Sequence, residues 1–254
     1  MNDIKHIYDF IVYNEENVEV IKETDNGKLH TTELKRIPKT IVMKEPSRQE
    51  MEELETAYAV AMSNSIRKGI MTKAMLAKFY AENGGVMTQE EGRKLAKLYD
   101  DYAIKQLEFQ RLALNSQKND ERLTELTAEI MVLYTAIQDV ETLQSGIFDQ
   151  TAETRSRNKA VEWCMMNLTY VIQDIPKEGG EVTQRYIPFF GDGSMEDRLE
   201  QYDTMLAVGN EFDLKVINKI AIMFAFWYLG RAVERNDFDT VMDSIDPGYK
   251  TQAE

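Results

Sequence analysis

The feature that most constrains the fold is a regular series of apolar residues in the middle of the chain. Steps of three and four residues alternate through Leu123, Leu126, Ile130, Leu133, Ile137 and Val140. This spacing places all six side chains on one side of an α-helix, as in the seam of a coiled coil. The sequence therefore predicts a long helix that buries one side against a neighbouring helix.

A second apolar series precedes this one and is separated from it by a short polar stretch. The earlier series, broken at Lys105, consists of Leu95, Leu98, Tyr102, Phe109 and Leu112. Residues 115–120 between the two series are polar and predict a turn. Two helices joined by a short turn fold back on each other, so residues 90–143 are predicted to form an antiparallel helical hairpin. Pairing within one chain and pairing between two chains both remain open.

The first 45 residues have the period of a β-strand. Tyr8, Phe10 and Val12 alternate with their neighbours, and residues 25–28 contain an Asn-Gly pair that favours a tight turn. We therefore predict an antiparallel β-element over residues 7–43, interrupted at Pro38. Such a small element needs helices to stabilise it. The predicted organisation is a small β-element in residues 1–45, packed on a helical domain in residues 46–254.

Local signals predict where the helices of this second domain begin and end. Serine or threonine followed three residues later by an acid forms a capping box, and such boxes occur at residues 47–50 and 88–91, while Ser194 is a predicted helix cap. The predicted helices cover residues 47–69, 72–83, 90–143 as the hairpin, 151–172, 195–208 and 211–229. Residues 173–194 are predicted to be a loop. The fold class is therefore mainly α, a helical bundle with an antiparallel helical hairpin and a small N-terminal antiparallel β-element.

The sequence contains no recognisable catalytic, cofactor-binding or metal-binding constellation. The two histidines, His6 and His30, have no second ligand at helical spacing, and Cys164 lies in an apolar stretch typical of a buried thiol. The glycines at 191 and 193 lack the Lys-Ser/Thr of a phosphate-binding loop. We therefore expect a protein that is not an enzyme and carries no cofactor or metal. The alternative is a carboxylate-based enzyme or nucleotide-binding regulator whose residues are distant in sequence.

Charge and hydropathy argue against nucleic acid and membrane as partners. The net charge is −14, while residues 61–120 alone carry ten Lys and Arg against seven Asp and Glu. An acidic protein repels phosphate backbones, and we expect the basic residues of this segment either to pair with nearby acids or to face an acidic partner. The longest apolar run, residues 220–229, is about 15 Å long as a helix and too short to span a bilayer.

Two segments are candidates for contact with protein partners or with a second copy of the chain. Apolar and basic residues alternate around the predicted short helix at Met71, Lys73, Met75, Lys78 and Phe79. Residues 220–229 are apolar around the whole circumference of a helix, so every side must be covered. Most of that helix is predicted to be core, and its side with Phe226 and Tyr228 is a candidate interface.

Part of the first segment resembles proteins of large tailed bacteriophages. The resemblance rests on IPKTIVMKEP at residues 37–46, YAV at 58–60 and GIMTKAMLAK at 69–78, and it covers residues 37–85. The similar proteins are virion structural and tail-assembly proteins. The resemblance implies a non-enzymatic structural or assembly protein, either a tail or baseplate component or a tail assembly chaperone. It also implies a location in the host cytoplasm or in the virion.

Overall fold

A computed structural model describes residues 4–24, 27–114, 120–143, 145–176, 182–247 and 249. The four strands of this described part are β1 (His6–Thr24), β2 (Gly27–Lys44), β3 (Thr169–Pro176) and β4 (Val182–Pro188). Its helices are α1 (Arg48–Arg67), α2 (Lys73–Asn83), α3 (Gln89–Leu114), α4 (Asp120–Leu143), α5 (Ser145–Phe148), α6 (Ala152–Leu168), α7 (Met195–Val208), α8 (Glu211–Tyr228) and α9 (Arg235–Ile245). The mainly α fold with a small antiparallel β-element is confirmed.

The β-element is larger than the sequence predicted, because two of its strands come from residues far along the chain. All four strands are antiparallel, in the order β1-β2-β3-β4. The predicted loop over residues 173–194 and the predicted helix up to residue 172 are therefore wrong in part. Helix α6 ends at Leu168, and strand β3 begins at the next residue.

The predicted N-terminal hairpin forms, but Pro38 does not interrupt it. After a register shift between His6 and Tyr8, strands β1 and β2 pair without a break to Thr24 opposite Gly27, and Pro38 lies opposite Tyr13. Of the turn predicted over residues 25–28, residues 25–26 lie outside the described residues and residues 27–28 belong to β2. Strand β3 pairs with β2 only over residues 40–43. The side of β2 opposite β1 therefore has no described ladder partner at Pro38, where a missing N–H costs no hydrogen bond.

The chain divides into two compact units. We call residues 1–55 with residues 160–254 the sheet unit, and residues 56–159 the helical unit. The predicted boundary at residue 45 differs from this division, which falls within α1 and α6. The reason lies in the sheet: β3 pairs with β2 and β4 pairs with β3, which joins the N-terminal strands to the last third of the chain.

The core of the sheet unit forms where α8 and α9 cover strand β1. Tyr8 and Phe10 are buried, and the ring of Tyr8 stacks on Phe238 at 5.1 Å. The Tyr8 hydroxyl donates a hydrogen bond of 2.7 Å to Asp239, and burial raises the pKa of Tyr8. Residues 220–229 of α8 and its C-cap are all buried or half-buried, as the apolar circumference predicted.

Cys164 lies on α6 in the same unit and is fully buried, as predicted. Burial raises the pKa of its thiol to about 12. The thiolate is the reactive form of cysteine, so this side chain is an inert core residue at neutral pH. No helix in the described part of the chain is long and apolar enough to cross a membrane.

Candidate functional site: an exposed apolar surface on a helical hairpin

Helices α3 and α4 form the antiparallel hairpin that the two apolar series predicted. Their contacts run in opposite order along the two helices, which fixes the orientation. The ring of Tyr102 lies 6.3 Å from that of Tyr134, while nearer the turn Arg122 lies 2.8 Å from Glu108. The seam thus closes within one chain. The predicted turn at residues 115–119 lies outside the described residues.

The seam is buried most completely at two positions of α4. Leu126 and Ile137 are 0% and 4% exposed, and the other four predicted seam residues of this helix are half-buried. On α3, Leu95 is fully buried in a cluster that also contains Ala77 of α2 and Phe148 of α5. Helix α2 therefore helps to cover the part of the hairpin farthest from its turn.

A carboxylate ties α2 to both helices of the hairpin. Glu141 of α4 accepts hydrogen bonds from the Lys73 ammonium and from the Tyr99 hydroxyl. Burial, together with this hydrogen bond, raises the pKa of Tyr99. The backbone N–H of Lys73 donates to the Glu153 carboxylate at 2.9 and 3.0 Å, which satisfies an open donor at the start of α2. Lys73, predicted to face a partner, is instead largely buried as an internal contact.

A network of ion pairs runs along one flank of the hairpin. The Lys105 ammonium lies 2.6 Å from Glu129, and the Arg122 guanidinium lies 2.8 Å from Glu108 and 3.1 Å from Glu129. Hydrogen bonds to Glu108 raise the pKa of Arg122, and the one from Lys105 lowers the pKa of Glu129. Exposed pairs of this kind add little stability, but here they leave both cations compensated within the chain.

Beside this network, the hairpin exposes a group of apolar side chains. Ile104 and Leu107 lie three residues apart on α3 and are 60% and 53% exposed. Val132 on α4 is 69% exposed, and Ala128 lies one turn before it. Ile104, Ala128 and Val132 line an open groove of about 510 Å³. We call Ile104, Leu107, Ala128 and Val132 the hairpin surface.

The sequence prediction missed the hairpin surface, although a signal for it is present. Ile104, Leu107, Ala128 and Val132 fall outside the two seam series, so they point away from the side that pairs with the other helix. Apolar residues at such off-seam positions need a second neighbour or remain exposed. In the described residues they remain exposed.

The predicted partner residues are distributed over both units. Met75 and Phe79 are exposed on α2, and Met71, two residues before the helix begins, is exposed as well. Lys78 is also exposed but pairs with Asp100 at 2.9 Å. In the sheet unit, the two remaining predicted partner residues of α8 are only half-exposed: Phe226 and Tyr228.

Four of the ten basic residues of the central segment are compensated by acids of their own unit. Lys73, Lys78, Lys94 and Lys105 each form an ion pair within the helical unit. The whole helical unit contains 14 Lys and Arg and 14 Asp and Glu, whereas the sheet unit contains 16 and 30. The helical unit is therefore neutral, and the sheet unit carries the entire net charge of −14. Of the two expectations for the basic segment, local pairing holds for these four lysines.

The sheet unit contains a groove of about 450 Å³ beside β1 and α8. Its six charged lining residues form three ion pairs of 2.6 to 3.0 Å: Glu15 with Arg36, Glu211 with Lys215, and Asp246 with Lys219. A catalytic site often presents unpaired charged groups in a pocket, whereas these six charges lie in ion pairs. Across the described residues, no group of three or more His, Cys, Asp and Glu side chains is placed to hold a metal ion.

The hairpin surface, which consists of exposed apolar side chains, is thus the strongest candidate for a functional site. In comparisons with known proteins, no protein-family model, curated protein or solved structure matches the chain.

Proposed function

We propose that the chain is a non-enzymatic structural or assembly protein that acts through protein–protein contacts. The observation that carries this proposal is the hairpin surface, a group of exposed apolar side chains on a neutral helical unit, three of which line one open groove. Single exposed apolar residues are common on soluble proteins, but contiguous apolar patches with a polar rim mark sites of protein contact. The exposed residues Met75 and Phe79 of α2, with Met71 just before it, add a second candidate contact area in the same unit.

We further propose that the assembly is a tailed-phage particle. The support is the resemblance of residues 37–85, which comprise the end of β2, α1 and α2. Within this proposal the chain is a tail or baseplate component, or a tail assembly chaperone. It acts in the host cytoplasm and, as a component, is incorporated in the virion. Proteins are its partners, because a net charge of −14 opposes binding to nucleic acid.

A complementation experiment tests this function. A phage that encodes the chain is given a nonsense codon in this gene, and particle assembly is measured with the chain supplied from a plasmid. We expect assembly to need the wild-type chain and to fail with Val132→Lys, which places a charge in the hairpin surface. Val208→Lys is the matched control, because Val208 is also an exposed valine, 74% exposed, but lies in the sheet unit.

The composition of purified particles then separates the two roles. A fixed number of copies per particle indicates a component, and absence from particles that need the chain for assembly indicates a chaperone. Particles that form in normal number without the chain contradict the proposed function.

A further inference from the structure

The hairpin is buried by other elements at one end and exposed at the other. Around Leu95, α2 and Phe148 pack on the hairpin and bury it. Closer to the turn, α3 and α4 pack on each other along the seam, and the hairpin surface lies open beside them. An apolar surface formed by two antiparallel helices has the geometry of half of a four-helix bundle. A further pair of helices would complete it.

Charge decides which partner fits. A partner chosen by electrostatic complementarity requires charges that the chain itself leaves uncompensated. On the flank of the hairpin surface, Lys105 and Arg122 are already paired with acids of the same hairpin, and Asp101 also lines the groove. The helical unit is neutral as a whole, so it selects neither a basic nor an acidic partner.

A second copy of the chain satisfies this condition. Two neutral helical units approach each other without net repulsion, whereas two sheet units of charge −14 repel. Contact between copies is therefore least opposed at the helical unit. A two-fold axis would bring the same apolar patch together from both copies, and a neutral patch is complementary to itself. The nearby ion pair of Lys105 and Glu129 would be covered as a pair, leaving neither charge unpaired.

We infer that a second copy of this chain covers the hairpin surface, so that two α3–α4 hairpins pack into a four-helix bundle between chains. The inference rests on the proposed function, because it names the partner of the same surface. It makes association an apolar event that high salt does not weaken.

Sedimentation velocity over about two orders of magnitude in protein concentration tests the inference. We expect the wild-type chain to pass from monomer to dimer as its concentration rises. Val132→Lys and Ile104→Lys each place a charge in the interface and should raise the dimer dissociation constant on the order of 100-fold. Val208→Lys should leave it unchanged. Circular dichroism checks that each variant is folded, since both interface positions are exposed and tolerate lysine on a helix.

Three other outcomes would contradict the inference that a second copy covers the hairpin surface, and none of them would contradict the proposed function. If the wild-type chain is a monomer throughout, the second copy is excluded. If a dimer forms but Val132→Lys and Ile104→Lys dimerise as tightly as Val208→Lys, the interface lies elsewhere. A dimer that dissociates when salt is raised would show that charge drives the contact. In each case the particle assay still reports whether the hairpin surface serves a different protein.

Discussion

The two units contain apolar helices that differ in how far they are covered. In the sheet unit, residues 220–229 of α8 and its C-cap form the longest apolar run of the chain, yet all ten are buried or half-buried. In the helical unit, α3 and α4 are more polar in sequence but leave Ile104, Leu107 and Val132 more than half exposed. The more apolar helix is thus the poorer candidate for an interface. An interaction surface is identified by the apolar side chains that stay exposed to solvent after the neighbouring helices and strands have packed.

The same contrast holds for charge. The sheet unit carries the net charge of −14, and the helical unit is neutral. A strong field of one sign keeps copies of the sheet unit apart, whereas neutrality favours association. The helical unit therefore combines the two properties that a self-associating surface needs.

The largest effect is expected in the covered helix of the sheet unit. Phe224→Ala removes a fully buried ring and should lower the free energy of unfolding by about 3–5 kcal/mol. Phe226→Ala, two residues away on the same helix, removes a half-exposed ring and should cost clearly less. Chemical denaturation of both variants measures the difference. Equal losses would mean that the two sides of α8 are equally covered.

A matched pair on α4 sharpens the comparison inside the helical unit. Leu126→Ala leaves a cavity in the seam and should cost about 2–5 kcal/mol, while Val132→Ala should change stability by no more than about 0.5 kcal/mol. Association should respond in the opposite way, because Val132 belongs to the hairpin surface and Leu126 does not. Chemical denaturation of the two variants measures the free energy of unfolding, and sedimentation velocity measures their association. A large loss of stability in Val132→Ala would show that this side chain is part of the fold.

A smaller effect distinguishes two capping boxes, one in each unit. Glu50 accepts a hydrogen bond from the Ser47 N–H at 2.8 Å and lies 2.5 Å from the Lys44 ammonium. Burial of this carboxyl raises its pKa, but the hydrogen bonds from Lys44 and Ser47 outweigh burial and leave the pKa below the ordinary 4.5. Glu91 caps α3 in the same way through Thr88, without a lysine at that distance.

Glu50→Gln should therefore cost about 1 kcal/mol at pH 7. A carboxylate with a lowered pKa stabilises the fold above pH 4.5, and this contribution is lost as the pH falls through its folded-state pKa. The difference between wild type and Glu50→Gln should vanish in that acid range. Denaturation at several pH values measures it, with Glu91→Gln as the comparison expected to show less. A difference that persists in strong acid would assign the effect to packing.

Local features of the fold were predictable from the sequence, and features that depend on distant residues were not. The seam through Leu126 and the capping box of α1 depend on residues a few positions apart, so sequence spacing determines them. Strand β3 pairs with residues 40–43, more than a hundred positions earlier, and no local pattern specifies that pairing. Its run of Thr, Tyr, Val and Ile at 169–172 was a strand signal that the preceding helix obscured.

The candidate site shows the same limit. Lys73 was assigned to a partner surface because basic and apolar residues alternate around it, but Glu141, far along the chain, binds it internally. Sequence spacing reveals which residues share a side of a helix. It does not reveal which sides are covered by elements from elsewhere in the chain, and that information separates Val132 from Phe226.

Covalent footprinting of the wild-type chain at low and high concentration tests the central claim most directly, because it reads every surface at once without a mutation. Labelling of Ile104, Leu107 and Val132 should fall as the concentration rises, while Val208 and Val233, exposed in the sheet unit, should stay labelled. Unchanged labelling of the hairpin surface would contradict the account. So would protection that appears instead at the half-exposed side of α8.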